Sequence, residues 1–346
     1  MRQYHIFLLT SLTLFCVLNI TNVSIAGDTW TKRDLAVEPI WASAAAAVGD
    51  KIYVIGGRTP DNICQKTTRE YHPETDSWEI RADMPTPRFR LSACAVNGKV
   101  YVMGGTQDNW GPSVLSAMEE YDPATNTWTK KADMPTPRHS LNACVVDNKI
   151  YAIGGLNGSA PHGDAVFVDS LEVYDPETDK WEEMPKMPEL RKLKGSGVVD
   201  GKIYIIGSDI NKKPILLKYD PVTDQLEKKS DPLTLGVQGG TAGVLNGKIY
   251  SIGGALNLLT YSASVEEYDP LTDTWRECAD MPTARCDISS GVMNGKIYVF
   301  GGWNGGFLRN VEEYTPPDGK SPKIPQQAVN PQDKLISTWS AIKNSQ

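Results

Sequence analysis

Arginine recurs at one position of a repeated segment, which makes it the first residue type to consider for chemistry. The four copies are Arg88, Arg138, Arg191 and Arg285, and Arg90 and His139 stand beside two of them. A guanidinium group binds a carboxylate through two parallel hydrogen bonds, so a converging set of arginines in an acidic chain suggests an anionic ligand, such as an acidic peptide. The alternative is structural: some copies brace neighbouring loops through hydrogen bonds to backbone carbonyl groups.

Aromatic residues stand in loops whose length varies between repeats. Trp110 and Trp303 follow paired glycines, as do Arg58 and His162. From the glycine pair to the next strand the chain takes between 7 and 15 residues. An exposed loop tryptophan is a frequent anchor for a partner, although each one can equally pack on its own loop. A constant frame with variable loops predicts a recognition surface.

Glutamate pairs also recur, but they do not predict catalysis. They are Glu119, Glu120, Glu266, Glu267, Glu312 and Glu313. Each pair alternates faces of one strand and the copies are spread over the repeats, whereas catalytic carboxylates must converge on one bond. We therefore expect a structural role for them, no catalytic residue and no cofactor.

The cysteines after residue 26 show no disulfide framework and no paired spacing that predicts zinc. Cys94 and Cys144 occupy the same position of successive repeats inside apolar strands, which indicates buried thiols. A single bridge among Cys64, Cys278 and Cys286 stays open at this stage.

Six copies of one segment organise the chain. Its best copies read MPTPRFRLSACAVNGKVYVMGG and MEEYDPATNTW, and the glycine pairs recur at steps of 46 to 53 residues. A four-stranded propeller blade takes roughly 40–50 residues. The Asn-Gly step at 97–98 predicts a tight hairpin turn, because both positions need positive φ. The apolar run at 100–103 predicts a strand that is covered on both faces.

The ends of the repeat array complement each other. Trp30 precedes Trp78 by the same 48 residues that separate Gly56 from Gly104, so it belongs to an outermost strand. The sixth copy lacks its own outermost strand and has Ser321 where the tryptophan is expected. We predict that the strand around Trp30 pairs with the last repeat and closes a ring of six blades.

These residues resemble the kelch family over roughly residues 28–316. The glycine pair, the later Tyr and Trp, and the MPxxR lead-in carry the resemblance, in five or six copies in register. It implies an all-β fold: a six-bladed kelch β-propeller of four-stranded blades around a channel. In such a ring the four repeated arginines would rim one channel mouth. Departures are Ser208 for a glycine, Leu226 for a tryptophan and a weak fifth lead-in.

Three functions are compatible with the resemblance. The first is a non-enzymatic interaction module that recognises a protein segment or glycan, anionic in character, through the loops of one face. The second is a sugar-acid mutarotase or epimerase similar to exported bacterial N-acetylneuraminate epimerases, with Arg88, Arg138 and Arg285 as a carboxylate clamp and His139 moving protons. The third, a copper oxidase like the galactose oxidases, would need histidine ligands, and only His72, His139 and His162 follow residue 26.

The two ends of the chain lie outside the repeats. Arg2, the apolar run at 6–20 and small residues at 24 and 26 predict a secretory signal peptide over residues 1–26. We therefore expect a secreted, periplasmic or cell-envelope protein with no membrane span after cleavage. The propeller is assigned to 27–318, and a linker with a short tail to 319–346.

A net charge of −7 and the lack of a basic stripe argue against nucleic acid as a partner. We expect a monomer.

Overall fold

The computed structural model describes residues 28–317, except for 109–112, 159–165, 185, 188–189, 235–237 and 258. The predicted signal peptide and tail therefore lie outside the described residues. Every regular element within them is a β-strand. No helix long and apolar enough to cross a membrane occurs in this part of the chain.

Twenty-six strands are present among the described residues. The chain begins with β1 (Thr29–Arg33). Blade 1 contains β2 (Ala44–Val48), β3 (Lys51–Ile55), β4 (Thr68–His72) and β5 (Ser77–Arg81). Blade 2 contains β6 (Ser92–Val96), β7 (Lys99–Met103), β8 (Met118–Asp122) and β9 (Thr127–Lys130). Blade 3 contains β10 (Asn142–Val146) and β11 (Lys149–Ile153), then a loop hairpin of β12 (Leu156–Asn157) and β13 (Val166–Phe167), then β14 (Leu171–Asp175) and β15 (Lys180–Met184).

The second half of the chain repeats the arrangement. Blade 4 contains β16 (Lys192–Val199), β17 (Lys202–Ser208), β18 (Pro214–Asp220) and β19 (Gln225–Lys229). Blade 5 contains β20 (Thr241–Leu245), β21 (Lys248–Ile252), β22 (Val265–Asp269) and β23 (Thr274–Glu277). Blade 6 contains β24 (Ser289–Met293), β25 (Lys296–Phe300) and β26 (Val311–Thr315).

The ring closes as the sequence predicts. The sheet of blade 6 has the order β1-β26-β25-β24, so the first strand of the chain is the outermost strand of the last blade. Trp30 lies opposite Tyr314 in the antiparallel pair. Its indole Nε1 donates to the carbonyl of Ala279 in blade 5 at 2.8 Å. Trp128 makes the same bond to Ala82 in the preceding blade, at 2.9 Å. The all-β, six-bladed architecture is confirmed.

Turn chemistry explains why these segments pair locally. Asn97 and Gly98 both have positive φ, 50° and 76°, as a two-residue hairpin turn between β6 and β7 requires. The apolar strands β3, β7 and β11 are buried along almost their whole length because neighbouring blades cover both faces. The cysteines at 64, 94, 144, 278 and 286 are all free thiols, which removes the bridge that the sequence left open.

Close packing between blades depends on the glycine pair. Gly104 has φ +63°, and a Cβ there would lie 2.4 Å from the carbonyl oxygen of Arg138 in the next blade. Hydrophobic cores form between adjacent blades; one contains Tyr53 and Ile55 of blade 1 with Val100 and Tyr121 of blade 2. The packed blades therefore fix the position of the lead-in loops, the segments that precede the inner strand of each blade. These loops form one end of the channel.

Candidate functional site

A cavity of about 690 Å³ opens at one end of the central channel. Its wall consists of the first residues of the six inner strands and of the loops beside them. Its charged wall residues are Arg58, Arg90, Arg191, Lys192, Lys194 and Asp287. Five cations face one carboxylate among the described residues, so the cavity is cationic although the chain is acidic overall.

Arg88, Arg138 and Arg285 share a contact pattern that does not involve this cavity. In Arg88, Nη1 donates to the carbonyl groups of Gly104 at 3.1 Å and Ala117 at 2.7 Å, while Nη2 pairs with Glu119. Arg138 and Arg285 make the equivalent bonds in blades 3 and 6, with Glu172 and Glu312 as their carboxylate partners. All three side chains are fully buried. Burial lowers the pKa of each guanidinium, that of Arg285 to about 10.

The expectation that these three arginines bind the ligand is therefore corrected. Each guanidinium is fully buried and pairs with carbonyl groups and with a glutamate of its own blade, so the surface of the channel does not include it. They are the bracing residues that the sequence offered as the alternative. Two of the repeated glutamates, Glu119 and Glu312, have the structural role expected from their repetition, and Glu172 has the same role in blade 3.

Blade 1 contains the same brace with its charges exchanged. Arg69 of β4 stands at the strand position that carries the glutamate in blade 2, and it pairs with Glu38 from the preceding loop. Its Nη1 also donates to the carbonyl of Gly56 at 3.4 Å. Burial lowers the pKa of Arg69 against the attraction of Glu38. An ion pair is thus preserved, between a buried arginine and a partly exposed glutamate, even though the lead-in residue is Ile40.

Arg58 and Arg90 form a different arrangement, at the cavity wall. The Cζ of Arg58 lies 6.0 Å from the ring centroid of Trp41 and 5.4 Å from that of Phe89. The Cζ of Arg90 lies 5.3 Å and 5.5 Å from the same two rings. Burial and the charge of Arg90 both lower the pKa of Arg58. No carboxylate forms an ion pair with either guanidinium in the part of the chain that the structure describes.

Placing these two guanidinium groups together costs free energy unless an anion binds to them. Two guanidinium groups repel each other, and partial burial removes the water that would screen them. The π faces of Trp41 and Phe89 offset part of this cost but leave both positive charges in place. The pair can therefore receive a carboxylate with little rearrangement.

His139 lies behind Arg90 and is not part of the cavity wall. Its side chain is 4% exposed, its Nδ1 lies 3.0 Å from the hydroxyl of Ser140, and its Nε2 lies 3.2 Å from the carbonyl of Gly158. Burial, reinforced by the charge of Arg90, lowers its pKa to about 4. The ring is neutral near pH 7 and is placed as a support, not as a ligand contact or a proton shuttle.

Trp303 faces the cavity and also packs on its own loop. Its indole Nε1 donates to the hydroxyl of Tyr261 at 2.9 Å, and its ring lies 5.0 Å from Phe307 and 6.3 Å from Trp41. Packing on its own loop is therefore observed for Trp303, and its role as a binding anchor stays a prediction. Trp110 and His162 lie outside the described residues.

Asp287 is the single carboxylate of the described wall. Its Oδ2 accepts a hydrogen bond from the indole Nε1 of Trp41 at 2.7 Å. Burial raises its pKa, while the charge of Arg90 and the indole bond oppose that rise. Asp287 therefore orients Trp41, and through that ring it helps to hold the two arginines in place.

Blade 4 contributes three cations to the cavity wall. Leu217 stands where β8 carries Glu119, so β18 has no glutamate at that position. Arg191 lines the cavity and its Nη1 donates to the carbonyl of Leu190 at 3.0 Å. Lys192 and Lys194 line the same side. Of the predicted ligand residues, the structure brings Arg90, Arg191 and Trp303 into one cavity.

Among the described residues, neither enzyme alternative has its proposed residues on the cavity wall. The sugar-acid clamp required Arg88, Arg138 and Arg285, which are buried braces. For the copper alternative, His72 lies at the outer end of β4, where its Nε2 is 3.0 Å from Glu70 and 3.6 Å from Glu79. Arg81 and Lys51 already bind Glu70, so this cluster offers a cation little negative charge.

Sequence reasoning missed Trp41, Phe89 and Asp287. Trp41 and Phe89 occupy one register, three residues before the first residue of the inner strand, and His139 and Cys286 occupy the same register in blades 3 and 6. That register is among the most variable in an otherwise constant frame. Variation at one position between repeats is the signal that could have identified it.

Comparisons with known proteins agree with this geometry. A family model described as the KLHDC2/KLHL20/DRC7 Kelch-repeats domain matches residues 16–208, and a Kelch motif matches residues 238–282 and 284–320. Among curated relatives, spermatocyte protein spe-26 of Caenorhabditis elegans is 29% identical over 43% of this chain and 28% of its own length. Kelch domain-containing protein 8B of Rattus norvegicus is 30% identical over 44% and 47%. The chain thus spans less than half the length of these relatives.

A solved structure has the same fold. The structure of YjhT superposes with a TM-score of 0.70 at 18% sequence identity, covering 83% of this chain and 98% of that one. At this identity the match concerns the fold alone.

Proposed function

The chain belongs to the kelch-repeat family, and from this premise we propose that it is a binding module whose channel mouth captures an acidic segment of a partner protein. Kelch propellers generally bind protein partners. The observation that carries the proposal is the pair formed by Arg58 and Arg90, held against Trp41 and Phe89 without a carboxylate in ion-pair contact among the described residues. A carboxylate of the partner would supply the missing negative charge.

The surroundings of the pair favour an extended ligand. Arg191 and Lys192 stand on blade 4, across the ring from blades 1 and 2, and line the same cavity. Trp303 and Phe307 add aromatic surface at the rim. Around these lie exposed apolar side chains of the loops after the glycine pairs, such as Ile63, which is 58% exposed. Acidic side chains of such a ligand would contact the cations, and its apolar side chains would contact the rim.

The test compares matched peptides. Fluorescence anisotropy would first select binders from a library of Glu- and Asp-containing peptides, and would then compare each binder with its Gln or Asn counterpart. We expect the amide version to bind at least tenfold more weakly, because it removes the charge that Arg58 and Arg90 lack. Raising the salt concentration should weaken binding of the acidic peptide only.

Matched variants locate the site. Arg90→Met should weaken binding of the acidic peptide by more than tenfold. Lys130→Met is the control, since Lys130 is a 70% exposed cation on the outermost strand of blade 2. Equal binding of acidic and amide peptides would refute the proposal. Selective binding of uronic-acid oligosaccharides instead would move the assignment to the glycan that the sequence also allowed.

We also propose that the chain is exported. The support is the charged start, apolar run and small residues of positions 1–26. Expression of the full chain should release a protein that begins at Gly27, which N-terminal sequencing would detect. A protein retained in the cytoplasm with its first residues intact would contradict export.

A further inference from the structure

Lys194 occupies a position that has no counterpart in the other blades. The pairing of β16 with β17 shifts register between Leu193 and Gly195, so Lys194 is one residue more than the ladder needs. Leu193 packs against Gly154 as Leu141 packs against Gly104. The packing that the blades share is thus complete without Lys194, and the bulge adds a lysine at the channel wall.

A glycine of the neighbouring blade accommodates the lysine stem. Gly240 stands directly before β20, at the register that holds Leu91 in blade 2. A Cβ on Gly240 would lie 2.7 Å from Cγ and 2.9 Å from Cε of Lys194. The aliphatic stem of Lys194 therefore takes the place of the missing leucine between blades 4 and 5, and the side chain is 3% exposed.

The amine at the end of this stem is poorly compensated. Glu266 of β22 attracts it electrostatically, but both oxygens of Glu266 lack a hydrogen-bond partner among the described residues, so the two groups form no ion pair. Burial outweighs the attraction of Glu266 and lowers the pKa of Lys194 to about 8. Compared with an ordinary lysine at 10.5, roughly 300-fold more of the amine is neutral at pH 7.

The entrance to the amine is cationic. Arg191 and Lys192 precede Lys194 on the same strand end, and all three line the cavity. Lys192 is held in place by a 2.9 Å hydrogen bond from its Nζ to the amide oxygen of Gln238. A small molecule with a negative group would be attracted to this side of the channel.

We propose that the amine of Lys194 is a reactive group of the channel. An aldehyde or ketone that carries an anionic group would condense with this amine to form an imine. The nitrogen lone pair attacks the carbonyl carbon, and a proton moves from nitrogen to oxygen to give a carbinolamine. Loss of the hydroxyl group as water then forms the C=N bond. Hydrolysis reverses the step, so no oxidant or reductant is needed. Arg191 and Lys192 attract the anionic group, and the cavity admits the carbonyl.

The test is a labelling map of the intact protein. The purified chain is incubated with pyridoxal 5′-phosphate, an aldehyde with an anionic group, and reduced with borohydride at intervals. Digestion and mass spectrometry then give the rate at each lysine. We expect Lys194 to be modified at least tenfold faster than Lys130, although Lys130 is 70% exposed. Its rate should rise with pH to a midpoint near 8.

The labelling rates of the wild-type protein are sufficient to test the proposal, so the test does not depend on whether a variant folds. Rates that follow exposure, with Lys194 among the slowest, would overturn it. Lys194→Met serves as confirmation, because methionine can still cover Gly240, and it should abolish the fast phase. Persistence of that phase in Lys194→Met would also overturn the assignment. Neither outcome depends on whether an acidic peptide binds at Arg58 and Arg90.

Discussion

At the residue scale, the arginines of this chain fall into two groups, those that form an ion pair with a carboxylate and those that do not. Arg88 has its glutamate and two carbonyl groups, and its charge stabilises the blade. Arg58 and Arg90 lie against aromatic rings and form no ion pair among the described residues, although the charge of Asp287 acts on Arg90; we propose that their charge serves a ligand. The residue type is the same in both cases, so function follows from the surroundings and not from the arginine itself.

Acid sensitivity follows from the carboxylates of the third strands. Burial opposes ionisation of Glu70 and Glu267, but hydrogen bonds from Arg81 and Lys51, and from Arg276 and Lys248, outweigh it and lower the pKa of each to about 2. A carboxyl group with a depressed pKa stabilises the fold above its unfolded pKa, near 4.3. This contribution, on the order of 3 kcal/mol each, is lost as pH falls from there toward 2.

Urea unfolding between pH 7 and pH 2.5 checks this prediction. The unfolding free energy should decline below about pH 4.5. Glu70→Gln should be less stable at pH 7 and should lose less on acidification. Glu79→Gln is the control, since Glu79 is 52% exposed. A Glu70→Gln profile parallel to that of the wild type would contradict the assignment.

Residue roles were only partly predictable from the sequence. The repeat placed Arg88, Arg138, Arg191 and Arg285 at one register, but it could not say which of them have a glutamate across the strand. That depends on the pairing of the lead-in with the third strand, where Leu217 replaces the glutamate in blade 4. Trp41 was missed because a single aromatic residue outside a strand has no periodicity.

At the element scale, the glycine pair sets how closely blades approach. At Gly104 a positive φ coincides with a carbonyl oxygen that would lie only 2.4 Å from an added Cβ, whereas Gly98 has positive φ with open space around it. Comparing substitutions at the two glycines therefore separates the cost of backbone strain from the cost of steric conflict.

This contrast gives a matched pair of variants. Gly98→Ala should cost roughly 1 kcal/mol, which reflects the positive φ alone. Gly104→Ala should cost at least twice as much, because the carbonyl of Arg138 must also move. Thermal or urea unfolding measures both. Equal losses would show that blade contact at Gly104 is looser than the structure indicates.

The elements were the most predictable part of the molecule. Asn-Gly turns, apolar strands and paired glycines recur along the repeats, so each copy supports the others. The bulge at Lys194 was not predictable, because one additional residue in a strand changes no turn or apolar pattern. The loop hairpin of β12 and β13 is two residues long on each side, too short to show alternation.

At the scale of the whole molecule, ring closure makes the first strand part of the last blade. β1 covers the edge of β26 that would otherwise expose unpaired backbone groups. Trp30 then has the same surroundings as the tryptophan of an internal blade: a tyrosine neighbour at 5.2 Å and a carbonyl acceptor in the preceding blade.

A closed ring therefore predicts equal costs for equivalent tryptophans. Trp30→Ala and Trp128→Ala should each lower the unfolding free energy by about 3 kcal/mol, since each removes the same packing and the same hydrogen bond. Chemical denaturation of both variants tests this. A much smaller effect of Trp30→Ala would indicate that β1 frays and that the ring is held less firmly there.

We propose that the chain uses arginine in two ways, as a brace and as a ligand contact, and a comparison of two variants distinguishes these roles. Arg88→Met and Arg90→Met would be compared for melting temperature and for affinity toward the selected acidic peptide. Arg88→Met should lose about 3–5 kcal/mol of stability, because it leaves Glu119 buried and uncompensated. Arg90→Met should keep the melting temperature of the wild type and lose binding. The reverse pattern, or an equal loss of stability in both variants, would show that the two arginines do not have separate roles.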